Sequence, residues 1–143
     1  MRTSRGFSLL ELLIVVAIIL IISTIAIPSF LRSRQSANEA AAVSNLRLLN
    51  TAEVTYASNN QGSYGEIDDL VTAGLLDARF FNIVSGYSFT VDVSVDTYDY
   101  TSNAVAKAAN DGRYDYYSRP DYIIRYAAST TRAPSGLSGQ PVQ

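Results

Sequence analysis

One acidic side chain interrupts the longest apolar stretch of this sequence. Residues 9–27 are apolar except for Glu11, Ser23 and Thr24, and no basic residue lies among them. A helix of roughly 20 such residues crosses the hydrocarbon core of a bilayer. A carboxylate placed in hydrocarbon is costly unless a partner is supplied, so an acid in a membrane span indicates a functional role. Glu11 is therefore the first candidate functional residue.

Length and composition exclude several classes of function. The chain has 143 residues, room for one domain, and its formal net charge of −2 does not favour nucleic-acid binding by bulk electrostatics. It contains no Cys and no His, which excludes disulfides, thiolate metal sites, a Cys nucleophile and a His general base. Neither a G-x-S-x-G motif nor a Gly-rich phosphate loop is present. We therefore expect no catalytic residues, and a membrane-tethered enzyme or binding module is kept as an alternative.

Three interpretations of segment 1–30 are open. A secretory signal peptide would explain the basic start at Arg2 and Arg5, but it would have a shorter apolar stretch followed by an A-x-A cleavage site. A simple membrane anchor would explain the length of the apolar stretch and leave Glu11 unexplained. The third interpretation is that the basic leader is cleaved off and the remaining helix assembles with other copies. This interpretation explains both the leader and Glu11.

The helical pattern continues beyond Pro28, where the ring and missing N–H of proline predict a kink. An apolar stripe at spacings of three and four comprises Ala42, Leu46, Leu49, Ala52 and Tyr56. The opposite, solvent-facing side is expected to carry Glu39, Asn45, Arg47, Asn50 and Glu53. Turn-forming residues at 58–62 predict the end of the helix. The first half of this helix needs lipid or other apolar helices, and the second half needs a domain to pack against.

After the long helix, the sequence predicts a short helix over residues 66–73 and then the two-residue period of strands. Four strands are predicted, over residues 87–95, 98–108, 113–117 and 122–127. Turn signals at 110–112 and 118–121 favour an antiparallel meander. Residues 129–143 are rich in Ser, Thr, Gly and Pro and are expected to be mobile. The predicted fold class is α+β, with a long kinked helix packed against a small antiparallel sheet.

Two residue types recur in the predicted sheet region. The acids are Asp92, Asp96, Asp99, Asp111, Asp115 and Asp121, and the aromatic residues are Tyr98, Tyr100, Tyr114, Tyr116, Tyr117, Tyr122 and Tyr126. Carboxylate oxygens suit calcium, but no loop has a convincing ligand spacing, so we expect solvated acids, no metal site and no cofactor. Cross-strand packing is the expected role of the Tyr residues, with adhesion or charge transport as alternatives.

The first 30 residues resemble the type IV pilin and pseudopilin family. The resemblance rests on a basic leader ending in Gly6, an aromatic residue at Phe7, Glu11 four residues later and Pro28, within GFSLLELLIVVAIILIISTIAIPSF. The later stretches SYGEIDDLVTAGLLD and GRYDYYSRPDYIIRY also look family-like. The resemblance implies the pilin fold, with a leader peptide at 1–6, a transmembrane or filament-core segment at 7–30, a globular head at 31–128 and a flexible tail at 129–143. The absence of Cys departs from pilins that close a carboxy-terminal loop with a disulfide.

The resemblance also implies a sequence of processing and assembly steps. A prepilin peptidase would cleave between Gly6 and Phe7 and methylate the new amine of Phe7. The subunit would wait in the inner membrane until an assembly platform and an ATPase add it to a helical, homo-oligomeric surface filament. Such filaments serve adhesion, twitching motility or DNA uptake, so contact with nucleic acid stays open. The alternative within the family is a major pseudopilin, which forms a periplasmic filament for type II secretion and in some relatives binds calcium.

The resemblance gives the acid and its neighbours specific roles. Gly6 has no side chain, so a protease can approach the backbone closely. Cleavage would create a cationic amine at Phe7, the natural counter-charge for Glu11, either in the same chain or in the next subunit. Such a pair would fix the register of assembly, because a slipped helix leaves both charges unpaired. The alternative is that Glu11 extends its charge to the membrane surface.

Overall fold

One long helix supplies the frame of the structure. A computed structural model describes residues 7–126 and 139–142 of the chain. Helix α1 spans Leu9–Asn59, 51 residues, and ends where the turn signal at 58–62 predicted. The chain divides into two structural units, with the boundary between Arg34 and Gln35. This boundary lies four residues later than expected, and the unit that begins at Gln35 is called the head below.

The first unit presents an apolar helix surface. The large side chains from Leu9 to Leu31 are exposed, and α1 is long and apolar enough to cross a membrane, as judged by length and composition. Ser23 Oγ donates to the carbonyl of Ile19 at 2.8 Å, and Thr24 Oγ1 donates to the carbonyl of Ile21 at 2.7 Å. Both hydroxyls are therefore satisfied within the helix, as hydrocarbon surroundings require.

Pro28 lies inside α1, which continues on both sides of it. Proline cannot donate a backbone hydrogen bond, so the helix lacks one bond at this point. The kink that the sequence predicts at Pro28 stays a prediction.

The head contains a five-stranded antiparallel sheet in the order β1-β2-β3-β4-β5. The strands are β1 at Tyr87–Val93, β2 at Tyr100–Ala106, β3 at Tyr116–Ser118, β4 at Arg125–Tyr126 and β5 at Gln140–Pro141. The α+β class and the antiparallel meander are confirmed.

The expected count of four strands was wrong, because β5 lies in the segment expected to be mobile. Arg125 pairs with Pro141, Tyr126 pairs with Gln140, and the Val142 N–H donates to the carbonyl of Ile124 at 2.8 Å. A strand of two residues has no alternating pattern and forms through backbone bonds alone, so its sequence carries no signal. The leader at 1–6 and tail residues 129–138 lie outside the described residues.

The strands are shorter than predicted because left-handed turns interrupt the alternating pattern. Thr97 has φ of 63° between β1 and β2, and the Ser94 N–H donates to the carbonyl of Asp99 at 2.8 Å. Tyr122 has φ of 60°, so β4 begins only after it. A residue that fits the apolar–polar alternation of a strand can therefore still lie in a turn.

Two short helices precede the sheet. Helix α2 covers Ile67–Thr72, within the predicted range, and the Asp69 carboxylate accepts the N–H of Glu66 at 3.0 Å at its start. A 3₁₀ helix at Ala78–Phe81 follows, with the Asp77 carboxylate accepting the N–H of Arg79 at 2.7 Å. These caps satisfy backbone donors that have no partner inside the helices.

The head core forms between α1 and one face of the sheet. The predicted stripe is confirmed, since Ala42, Leu46, Leu49 and Ala52 are buried and Tyr56 packs partly buried against them. They meet buried residues from the connecting segment and the strands, namely Leu70, Leu76, Phe80, Tyr87, Phe89, Val91, Tyr100, Ala104, Tyr116 and Ile124. Phe80 and Phe89 pack edge to face, with ring centroids 5.3 Å apart.

The predicted solvent-facing side of α1 was wrong for most of its residues. Glu39, Asn45, Asn50 and Glu53 are all buried, and Arg47 alone of that set is exposed. Glu39, Leu46 and Glu53 are seven residues apart, which is two helical turns, so they share one face. The stripe therefore contains both apolar and polar members, and the polar ones contact the sheet and its loops.

Three side chains at the start of the head hold the segment between β2 and β3. Gln35 Nε2 donates to the carbonyl of Ala109 at 2.9 Å, and Asn38 Nδ2 donates to the carbonyl of Asp111 at 2.9 Å. Glu39 accepts three bonds from Arg113: the backbone N–H at 2.7 Å, Nε at 3.1 Å and Nη2 at 2.8 Å.

Gly112, in the same segment between β2 and β3, packs closely against Tyr87. The Tyr87 hydroxyl donates to the carbonyl of Tyr114 at 2.8 Å and occupies the space that a side chain at Gly112 would need.

The bidentate pair between Glu39 and Arg113 yields a stability prediction. Arg113→Gln removes the guanidinium and leaves the buried Glu39 carboxylate with only the backbone N–H, so we expect a loss of about 2 kcal/mol in unfolding free energy. Denaturant unfolding of the detergent-solubilised chain, followed by circular dichroism, measures this loss. Arg47→Gln, which removes an exposed charge from the same helix, is the matched control and should change stability by less than about 0.5 kcal/mol. Equal effects of the two substitutions would contradict the assigned role of the pair.

Candidate processing and assembly site

The predicted processing site lies at the start of α1. Phe7 precedes the helix and is 74% exposed, and the first helical bond runs from the Leu12 N–H to the carbonyl of Ser8 at 3.2 Å. Glu11 lies in the first turn, where a carboxylate interacts favourably with the positive end of the helix dipole. Gly6 lies outside the described residues, so cleavage between Gly6 and Phe7 stays a prediction.

Glu11 is exposed and surrounded by apolar side chains of its own helix. Leu9, Leu10, Leu12 and Leu13 are each more than half exposed. Among the described residues, no basic group forms an ion pair with Glu11. Because α1 begins after Phe7, the helix does not by itself fix the distance between the Phe7 amine and Glu11. Pairing within one chain and pairing between two chains are both open.

The exposed apolar surface of the first unit is the larger feature of the site. It consists of Leu, Ile and Val side chains that follow one another on all sides of the helix up to Ile27. Soluble monomers rarely expose contiguous apolar patches of this size, and such patches indicate contact with a membrane or with other proteins. The arrangement can therefore serve in lipid and in a bundle of helices.

The head contains two further polar contacts of α1 that sequence reasoning placed in solvent. Asn50 uses both ends of its amide: Nδ2 donates to Ser118 Oγ at 2.8 Å, and Oδ1 accepts from the Tyr100 hydroxyl at 3.1 Å. These contacts join α1 to β2 and β3 in the middle of the core. The heptad spacing from Glu39 to Leu46 to Glu53 was the signal that could have identified the buried face.

Glu53 is the most buried of the acids. Its side chain is fully buried, Oε2 accepts the N–H of Gly65 at 3.2 Å, and Oε1 has no hydrogen-bond partner in the part of the chain that the structure describes. Burial raises the pKa of Glu53 to about 7, with the nearby Asp69 carboxylate adding to the rise and the Gly65 N–H opposing it.

Gly65 fits tightly beside Glu53. A Cβ at this position would lie 2.9 Å from Asp69 Cβ and 2.9 Å from Tyr56 Cε1. The buried acid therefore supports the segment that connects α1 to α2.

The six Asp residues mostly bind groups of the protein itself. Asp92 accepts from Asn103, Asp96 from Ser94, Asp99 from Arg119, Asp115 from the Ala106 N–H and Asp121 from Arg125. The described residues contain no group of three or more acidic side chains that could hold a metal ion. Calcium binding and the expected absence of a cofactor both stay untested.

Most of the Tyr residues pack against each other. Tyr116 and Tyr126 face each other across β3 and β4 with ring centroids 6.2 Å apart, and Tyr114 lies 4.9 Å from Tyr126. The predicted cross-strand packing is confirmed for this group. Tyr98 and Tyr122 differ, because their side chains are 63% and 47% exposed.

Comparisons with known proteins agree with the resemblance of the first unit to type IV pilins. The family model described as the prokaryotic N-terminal methylation motif matches residues 1–27. The chain is 46% identical over 55 residues to the type IV major pilin protein PilA of Myxococcus xanthus, covering 38% of this chain and 25% of that protein. It is 35% identical over 75 residues to the type IV wide pilus major component PilA4 of Thermus thermophilus, covering 52% of this chain and 57% of that protein.

The matched part of the chain thus spans about a quarter of the length of the Myxococcus xanthus protein and just over half of the length of the Thermus thermophilus protein. No solved structure is significantly similar to it. The resemblance to type IV pilins is confirmed by the matched motif and by the two relatives together.

Glu53 yields a prediction about pH. Its folded-state pKa of about 7 exceeds the ordinary value of 4.5, so the folded chain holds a proton that the unfolded chain releases between these values. The head is therefore expected to be most stable below about pH 4.5 with respect to this group, and to lose that stability as the pH rises to about 7. Glu53→Gln should remove this dependence and raise the unfolding free energy at pH 8 by about 1–3 kcal/mol.

Denaturant midpoints of the detergent-solubilised chain at several pH values measure the effect. Asp68→Asn, a change of an exposed acid in α2, is the control and should leave the pH profile unchanged. A Glu53→Gln profile parallel to that of the wild-type chain would show that Glu53 does not titrate in this range.

Proposed function

This chain is related to the type IV pilins, and on that premise we propose that it is the structural subunit of a type IV pilus. The observation that carries the proposal is Glu11, an acid that forms no ion pair with any described residue, on an exposed apolar helix that leads into a folded head. The methylation motif at residues 1–27 supports it, and so does the similarity to two proteins named as major pilus components.

Processing is the first step of the proposed mechanism. A prepilin peptidase cleaves after Gly6 and leaves Phe7 with a free amine, which the same enzyme methylates. Methylation keeps the positive charge and adds apolar bulk, so the new terminus suits an apolar surrounding. The exposed position of Phe7 ahead of α1 supports access by the peptidase.

Assembly is the second step, and it uses the same apolar surface twice. In the inner membrane, the side chains of residues 9–27 face lipid, and in the filament they face copies of themselves. An assembly platform and an ATPase transfer the subunit from one surrounding to the other. A head-to-tail contact that does not close into a ring generates an open helical filament.

The ion pair between Glu11 and a Phe7 amine sets the register of this assembly. In an apolar core, loss of one partner from a buried ion pair costs about 3–5 kcal/mol. A subunit that is displaced along its neighbours leaves both charges unpaired and is rejected. We propose that the amine belongs to the next subunit, because only a pair between two subunits can set their register.

The finer functions follow from an extracellular filament. The heads form its outer surface, where adhesion, twitching motility or DNA uptake take place. The similarity to proteins named as major components of pili supports a role as an abundant subunit of a surface filament. Under this proposal the subunit itself carries out no catalysis.

The proposed pair yields an assembly prediction. Glu11→Ala is expected to leave cleavage and methylation at Phe7 intact, since the peptidase acts on the peptide bond after Gly6, and to reduce sheared surface filaments by about tenfold or more. Mass spectrometry of the membrane-bound subunit and quantitative electron microscopy of sheared filaments measure the two outcomes. Asp68→Ala, which removes an exposed head acid that caps no helix, is the matched control.

Two results would overturn the proposal. Normal filament yield from Glu11→Ala would exclude the ion pair as the register device. Short filaments confined to the periplasm in the wild type would favour the pseudopilin alternative over a surface pilus.

A further inference from the structure

A cleft on the head lies where two loops meet at the carboxyl end of α1. It has a volume of about 520 Å³ and is bounded by α1, by the turn after it, by Asp69 of α2 and by the turn between β1 and β2. This volume falls in the range of roughly 300–1,000 Å³ typical of ligand sites. All the residues that are described as lining the cleft belong to the head.

Two left-handed turns fix the shape of the cleft. Gln61 has φ of 58° and Thr97 has φ of 63°, conformations that side chains other than glycine rarely adopt and that are concentrated at functional sites. The Tyr64 N–H donates to the carbonyl of Thr97 at 2.8 Å and joins the two turns. Asn60 Nδ2 donates to the carbonyl of Tyr56 at 2.9 Å and closes the end of α1.

Aromatic rings form the apolar part of the lining. Tyr56, Tyr64 and Tyr98 all contribute, and the Tyr98 ring is 63% exposed. Tyrosine offers an apolar ring face together with a hydroxyl that donates and accepts hydrogen bonds. Tyr64 is held in place by the buried Tyr100, with ring centroids 4.7 Å apart.

Side-chain amides and hydroxyls form the polar part. Asn59 and Gln61 are exposed, and their amides form no hydrogen bond to any residue that the structure describes. Each amide offers two donors and one acceptor. Ser63 and Thr97 add hydroxyls, which both donate and accept.

The charges of the lining exclude other ligand classes. Among the described residues, neither Lys nor Arg lines the cleft, so a phosphate, a nucleic acid or an acidic peptide would find no counter-charge. Asp69 is the one carboxylate in the described lining, and it already accepts the Glu66 N–H, so a cation would find too few ligands. A purely apolar ligand would leave the amides without partners.

We propose that this cleft binds a neutral carbohydrate, with the Tyr98 ring stacking on the C–H face of a sugar and the amides of Asn59 and Gln61 binding its hydroxyls. A neutral sugar ring combines an apolar face with hydroxyls that both donate and accept, which is the combination that the lining offers. The backbone bond from the Tyr64 N–H to the carbonyl of Thr97 joins the two turns before the ligand arrives, which lowers the entropic cost of binding.

Saturation-transfer NMR on the detergent-solubilised full chain tests the proposal with three neutral probes at millimolar concentration: cellotriose, chitotriose and maltotriose. The detergent must be dodecylphosphocholine, because a sugar-headgroup detergent would compete for the cleft. Trigalacturonate is the charged probe, and it should bind more weakly than the best neutral probe because the cleft carries Asp69 and no lining cation.

Two variants locate the binding. Tyr98→Ala should weaken binding of the best neutral probe by about tenfold. Gln61→Gly removes an amide at a position whose φ suits glycine, so it should fold at least as well as the wild type and also bind more weakly. Phe81→Ala removes another exposed aromatic ring, outside the cleft, and should leave binding unchanged.

Binding of a neutral probe that both cleft variants weaken and Phe81→Ala preserves would support the proposal. The proposal is overturned by no saturation transfer to any neutral probe, by binding that neither cleft variant changes, by equal loss in Phe81→Ala, or by tighter binding of trigalacturonate. None of these outcomes depends on filament formation.

Discussion

A carboxylate removed from water must find a donor or keep its proton, and this constraint governs helix α1 from end to end. Glu39 finds its donors in Arg113, whose backbone N–H and guanidinium both reach it. Glu53 finds the single N–H of Gly65, and its pKa rises to about 7 because one backbone donor does not compensate for burial. Glu11 lies on an apolar surface without an ion-pair partner in the described chain. The three acids thus represent three responses to the same physical cost.

The first two responses build the head. The contacts of Glu39, together with those of Asn38 and Gln35, hold the segment between β2 and β3 against α1. Asn50 joins β2 and β3 to the middle of the helix through Tyr100 and Ser118. Apolar packing is not directional, so by itself it would not fix the orientation of the sheet relative to the helix. Directed hydrogen bonds at several positions along α1 select one orientation. The third response, at Glu11, finds no ion-pair partner among the described residues, and the proposed filament supplies one from a second copy of the chain.

The sequence predicted the elements that depend on a repeating pattern. The alternation at Tyr87, Phe89 and Val91 gave β1, and the stripe from Ala42 to Ala52 gave the core face of α1. The pattern of Gly6, Phe7, Glu11 and Pro28 resembles the start of type IV pilins and predicts cleavage after Gly6, which stays a prediction. These features are local, so neighbouring residues carry enough information to identify them.

The features that the sequence did not predict depend on partners far along the chain. Glu39 and Glu53 were expected on the solvent-facing side, although their seven-residue spacing from Leu46 places them on the buried face, where Arg113 and Gly65 supply their donors. Strand β5 has two residues and depends on the free edge of β4. The cleft beside Tyr98 arises because the turn between β1 and β2 meets the end of α1, which no local pattern reports.

The contact between Tyr87 and Gly112 carries a consequence for how this head can change in evolution. The Tyr87 hydroxyl fills the space that any side chain at position 112 would occupy, so the two positions cannot vary independently. A lineage that first replaces Tyr87 with a smaller residue can later accept a side chain at 112, whereas the reverse order passes through a damaged intermediate. Divergence at these two positions therefore depends on the order in which the substitutions occur.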